Sequence, residues 1–195
     1  MREIIIGNKI FKPIASFYRT HGAGNQRYIC VDDVCSNDFK YLYFNRMFHV
    51  VEFSGTFYFI KKYFSDLDIA EREYEICQSL FVNNIIMDVY DYDNGAILCE
   101  YISGTPFSKL SLLGVNEIFM ISSTMVNFIE SLKQSRVDHL FEVTGNNILY
   151  NTYTKKLKLI DFESNPLRYD EFRFKNNESY KMFINLRNRA KERLR

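Results

Sequence analysis

No tryptophan occurs among the 195 residues, and only three prolines and eight glycines punctuate them. With so few breakers and no low-complexity tract, the chain is neither collagen-like nor linker-rich nor disordered. The four cysteines, Cys30, Cys35, Cys77 and Cys99, form no CxxC pair, and His21, His49 and His139 are scattered. That spacing excludes a zinc ribbon or finger. Neither sign of charge prevails: a formal charge of +1 gives no overall field for nucleic acid, and no such partner is expected. No run approaches the ~18 apolar residues of a membrane span. The apolar part of the N-terminal Met1 to Gly7 stretch is too short for a secretory signal, so a cytoplasmic setting is expected.

What is abundant is the smaller aromatic residues, 18 Phe and 14 Tyr, which suit pleated surfaces better than helices. Met47 to Phe53, the turn Ser54-Gly55, and Thr56 to Phe64 read as a β-hairpin. Residues 66–81 read as a helix, opened by Asp66 or Asp68 and carrying Ile69, Ile76, Cys77 and Leu80 at helical spacing. Met87 to Tyr92 and Ala96 to Tyr101 read as two strands joined at Asp93-Asn94-Gly95, after which Ser103-Gly104-Thr105-Pro106 interrupts the pattern. Asn116 to Gln134 is a long helix with Ile118, Ile121, Met125, Phe128, Ile129 and Leu132 on one side. A hairpin over 137–162 and a charged helical tail over 169–195 complete the chain. The order is α+β in two parts, a β-rich 1–102 and a helical 103–195, with a cleft expected at the break.

The chemistry-bearing residues cluster late. Asn147 opens the short apolar run Ile148-Leu149-Tyr150, and Leu157-Lys158-Leu159-Ile160 ends in Asp161. A hairpin of that kind sets one amide and one carboxylate at the same mouth, and two such oxygen ligands suit Mg²⁺. Asn146 is the alternative ligand if the loop register differs by one. Upstream, Phe59-Ile60-Lys61-Lys62-Tyr63-Phe64 puts two lysines in an otherwise apolar strand. Successive side chains alternate, so one of the two points into whatever the strand covers and needs an anionic partner, unless both reach outward from an edge.

In order and spacing, residues 45–165 resemble the protein-kinase-like superfamily, most of all its small bacterial members such as lipopolysaccharide core sugar kinases and minimal effector kinases. The resemblance implies a minimal bilobal fold using ATP and Mg²⁺. It implies Lys62, in preference to Lys61, paired with Glu73 on the phosphates. It implies Glu100 and Tyr101 as the linker whose backbone meets adenine, and Asn147 and Asp161 as metal ligands. The acceptor implied is a protein or glycan hydroxyl, lipopolysaccharide included.

The chain departs from that pattern in three places. His139-Leu140-Phe141 stands where the family has His-x-Asp. Glu142, five residues before Asn147, is then the nearest candidate base, and a displacement of about 1 Å can cost ~10²-fold in rate. Glu163 replaces the glycine that follows the family's Asp-Phe. No glycine lies near Asn45-Arg46, the expected phosphate turn, and Gly22-Ala23-Gly24 lies far upstream. These departures make a pseudokinase, a binding or scaffolding module on the same fold, the alternative. Finally, Arg187, Arg189, Lys191, Arg193 and Arg195 face a single acid, Glu192, over the last nine residues. A basic helix of that kind suits an anionic surface and equally suits the negative end of its own dipole.

Overall fold

Two tight turns show how local chemistry sets the β-rich part. Ser54-Gly55 and Asn94-Gly95 both have positive φ, 52° and 78° in the first and 45° and 77° in the second. That is the two-residue hairpin geometry whose twist matches the flanking strands. Gly95 is required for a second reason: a Cβ there would lie 2.4 Å from Leu67 Cδ2, and its carbonyl accepts the Tyr63 N–H at 2.9 Å.

The computed structural model describes residues 3–21, 27–30, 43–64, 67–80, 84–134, 137–138, 143–162, 167–168 and 176–195. The chain divides into two compact units, Met1–Val82 with Met87–Ile102, and Asn83–Ile86 with Ser103–Arg195. The short insertion at 83–86 is absent from the simple two-part division at residue 102.

The first unit opens with a hairpin of β1 (Ile4–Ile6) and β2 (Lys9–Phe11). Then come β3 (Pro13–His21), β4 (Arg27–Cys30), β5 (Tyr43–Phe53) and β6 (Thr56–Tyr63). After α1 (Leu67–Ser79) follow β7 (Val89–Asp93) and β8 (Ala96–Glu100). The six strands from β3 on form one antiparallel sheet in the order β4-β3-β5-β6-β8-β7. One face of this sheet presents Val51, Ile60, Ala96 and Leu98, on which Ile4, Ile6 and Phe11 of the first hairpin pack. The other face meets α1, which buries Ala70, Glu73, Ile76 and Cys77, one stripe of a 3.6-residue period. Asn45 and Arg46 lie inside β5, so they form no turn: the strand runs on from Tyr43, pairing with β3 on both sides of a register shift at Asn45 and with β6 from Arg46 onward.

The second unit contains β9 (Thr105–Pro106), a 3-10 turn at Phe107–Lys109, α2 (Val115–Gln134) and β10 (Val137–Asp138). It continues with β11 (Ile148–Tyr150), β12 (Leu157–Leu159), β13 (Leu167–Arg168) and α3 (Glu178–Arg193). The hairpin is shorter than its sequence span suggested. Among the described residues of that span, β11 pairs with β12, while β10 pairs with β13. Thr105-Pro106, part of the stretch that interrupts the strand pattern, pairs antiparallel with β11.

Helix α2 buries Ile121, Met125, Val126, Phe128, Ile129 and Leu132, and Phe183 of α3 is wholly buried. Gly114 caps α2, its carbonyl accepting the Ile118 N–H while Glu117 Oε2 accepts the Gly114 N–H at 3.1 Å, half of a capping box. Asn177 caps α3, its Oδ1 accepting from the Tyr180 N–H at 2.9 Å. Among the described residues no helix is long and apolar enough to cross a membrane.

Candidate active site

In the first unit, the β5–β6 register places Phe48 opposite Lys61 and Met47 opposite Lys62. Side chains alternate along a strand, so the two lysines face opposite sides of the sheet. Lys61 is on the α1 side and is buried; its Nζ lies 2.9 Å from Glu73 Oε2 and 3.2 Å from Oε1. The pairing expected for Lys62 is therefore made by Lys61. The reason is tertiary: α1 packs on the face to which Lys61 points. Lys62 is half-buried on the other side, where its charge acts on His49.

Glu73 is fully buried and fully engaged. Besides Lys61 it accepts a hydrogen bond from the Tyr63 hydroxyl at 2.8 Å. The Tyr63 ring is flanked by two cations, with the Arg46 guanidinium 4.8 Å and Lys61 Nζ 5.3 Å from its centroid, within the range of cation–π attraction. Tyr63 was missed in the sequence, although a residue two positions from Lys61 necessarily shares its face. Glu100 still belongs to the sheet, with its N–H donating to the Asp88 carbonyl at 2.8 Å. Tyr101 is the first residue beyond β8, largely exposed, its ring 6.1 Å from that of Phe57.

In the second unit, the β11–β12 ladder ends at the pair Ile148 and Leu159. One step beyond, the Ile160 N–H donates to the Asn147 carbonyl at 2.9 Å. Asn147 and Asp161 thus leave the same open end of one hairpin. Asn146 is held elsewhere, its Oδ1 accepting from Ser108 Oγ at 2.5 Å. The other side of β12 is met by Ile85 and Ile86. Leu159 N–H donates to the Ile85 carbonyl at 2.5 Å, Ile86 bridges Leu159 in parallel, and buried Lys158 donates to the Ile86 carbonyl at 3.1 Å.

Asp161 is half-buried with φ of +71°, next to the fully buried Phe162. A non-glycine residue there is strained by about 1–3 kcal/mol, a condition that clusters at functional sites. Glu142, with His139, Leu140 and Phe141, lies outside the described residues, as do Glu163 and Gly22-Ala23-Gly24.

No family model and no curated protein sequence matches the chain. Its backbone, in contrast, matches 741 solved chains, so the likeness resides in the fold rather than in the sequence. Among them is the kinase PK-1 of the Cydia pomonella granulovirus, with a TM-score of 0.53 and 18% identity over 64% of this chain. The chain has a protein-kinase-like fold. The match spans about half, 51%, of the viral kinase.

On this kinase-like fold the strain at Asp161 makes a direct prediction. Asp161→Gly relieves the positive-φ penalty but gives up the side chain and adds unfolded-state freedom, so it is expected to shift stability by no more than about 1 kcal/mol in either direction in a chemical denaturation series. A loss of stability larger than that would mean that the carboxylate is a structural anchor instead.

A second polar cluster in this unit ties the start of α2 to the β11–β12 turn. Glu117 Oε1 accepts from the Tyr150 hydroxyl at 3.0 Å and from Lys155 Nζ at 2.6 Å. Lys155, the Gly114 N–H and Tyr150 together hold the Glu117 carboxyl down to about 2, while burial and the same carboxylate push Tyr150 up to about 12. Both oxygens of Glu117 are thereby occupied, and its role is to fasten elements together.

Proposed function

We propose that the chain is a kinase-like phosphotransferase that moves the ATP γ-phosphate to a protein or sugar hydroxyl. The observation that carries this reading is the buried Lys61–Glu73 pair on the sheet of a protein-kinase-like fold. A lysine sealed against a carboxylate that a tyrosine hydroxyl also holds is a pre-positioned cation, and phosphoryl transfer depends chiefly on positioning and electrostatic stabilisation. In this reading Lys61 takes the role first given to Lys62. Glu73 and Tyr63 hold its ammonium in place, and Glu100 and Tyr101 belong to the segment that borders adenine.

The donor set at 147 and 161 suits Mg²⁺. It consists of one amide oxygen and one carboxylate, hard ligands on a rigid hairpin end. Among the described residues no group of three or more His, Cys, Asp or Glu side chains is gathered for a metal. This is the usual situation for Mg²⁺, which completes its shell with water and phosphate oxygens. When bound, the ion would neutralise charge on the phosphates. Glu142, five residues before Asn147 in the sequence, would orient or deprotonate the acceptor hydroxyl.

A second reading, a pseudokinase, is favoured by Phe141, which stands where a catalytic Asp is expected. Titration calorimetry with ATP, in the presence of Mg²⁺ and in EDTA, decides between them at the first step. Metal-dependent binding that disappears in Asp161→Ala is the expected result. Its next test is phosphate transfer that falls in Glu142→Gln. Absence of binding by the wild-type chain would turn attention to the scaffolding role.

A further inference from the structure

The start of α2 and the end of α3 border a groove whose lining is Val115 and Ile118 from the first helix and Leu186, Arg189, Ala190 and Arg193 from the second. It encloses about 180 Å³. Pockets for cofactors and drug-sized ligands run to roughly 300–1,000 Å³, so this one has room for a single large apolar side chain and little more. The floor exists because Ala190 is small and because Ile118, at a core position of the α2 pattern, is only half-buried. Leu112, 92% exposed in the loop leading into α2, adds apolar surface to this end of the unit.

The groove is basic as well as apolar. Arg189 and Arg193 are exposed at its rim, and the last nine residues carry five cations against the one acid, Glu192. The acid on the α2 side, Glu117, is occupied by Gly114, Tyr150 and Lys155, so it does not neutralise these arginines.

We propose that this groove docks a short acidic segment of a partner protein. A large apolar side chain would rest on Val115, Ile118, Leu186 and Ala190, with flanking carboxylates on Arg189 and Arg193. Guanidinium groups bind carboxylates in bidentate geometry, and an apolar anchor within a charged rim is the ordinary anatomy of a small docking site. A membrane surface fits less well, because a bilayer does not fill a depression of one side chain's size. The inference is independent of phosphate transfer and stands whether or not the chain binds ATP.

The test is fluorescence anisotropy of the intact chain with a dye-labelled peptide Glu-Asp-Glu-Leu-Asp-Glu at low and at moderate salt. Binding is expected to weaken roughly tenfold or more in the R189E/R193E double variant. It should weaken similarly when the peptide Leu is replaced by Ser. A peptide with Lys in place of every acid should bind the double variant better than the wild type. Both arginines are exposed on a helix, and a circular dichroism melt shows that the variant is folded. Three results would overturn the proposal: no binding of the acidic peptide, binding indifferent to Arg189 and Arg193, or binding equally tight with Ser. So would co-sedimentation with phosphatidylserine vesicles that needs both arginines while the peptide fails to bind.

Discussion

Replacing Lys61 with Met is expected to cost about 3–5 kcal/mol of folding stability and to abolish Mg²⁺-ATP binding. The stability loss follows from burial. Glu73 is inaccessible to solvent and Lys61 nearly so, so removing the cation leaves a buried carboxylate without the opposite charge that offsets its desolvation. Urea denaturation followed by circular dichroism measures this directly. A second variant separates architecture from function. Lys61→Met combined with Glu73→Leu removes both charges, and matched apolar replacement of a buried pair is often neutral or stabilising. The double variant should therefore recover much of the lost stability. Nucleotide binding should not return. Recovery of both together would show that the pair serves the fold alone. Lys62→Met, on the other face of the sheet, should leave binding nearly intact.

A second large effect is expected on acidification. His49 is buried on β5 with its Nδ1 2.7 Å from Ser16 Oγ. Burial, assisted by the nearby Lys62 charge, lowers its pKa from 6.5 to about 4. The folded protein thus holds a neutral imidazole where the unfolded chain binds a proton. This contribution to stability is whole above pH 6.5, is lost as the pH falls from 6.5 towards 4, and declines no further below that. At ~1.4 kcal/mol per pH unit, the full loss is about 3 kcal/mol. Denaturation midpoints measured at half-unit steps from pH 7.5 to 4.5 should show this slope, and His49→Asn, which cannot titrate, should flatten it. An unchanged slope in the variant would assign the acid sensitivity to the carboxylates.

Much of the fold was legible because it is local. Both two-residue hairpin turns, the strands around them and the extents of α1 and α2 follow from turn residues, β-branched and aromatic runs, and 3.6-residue spacing. Each agrees with the structure to within a few residues. The 137–162 hairpin failed for the complementary reason. Val137–Asp138 and Leu167–Arg168 are two-residue strands, too short to carry a period, and their partnership is settled by what lies around them. The parallel addition of residues 85–86 to β12 leaves no local trace either.

The candidate site divides in the same way. Asn147 and Asp161 could be named from the sequence because one short hairpin connects them, and its register keeps both at the same end. That the Asp161 backbone is left-handed could not be read, since Asp tolerates that conformation without demanding it. Glu73 was named through the resemblance, and the structure places it on the buried stripe of α1. Its partner was not legible, because alternation fixes only that Lys61 and Lys62 face opposite ways. Which face becomes the interior depends on where α1 packs, and that is decided by the combined burial of Ala70, Ile76, Cys77 and the sheet residues beneath them. The sequence by itself determined the elements, their order and the residue types available for chemistry, all set by interactions over a few residues. The tertiary structure alone decided which lysine is sealed against Glu73, that Tyr63 joins them, and that two helix ends leave a basic groove. Those outcomes depend on packing between segments far apart in the chain.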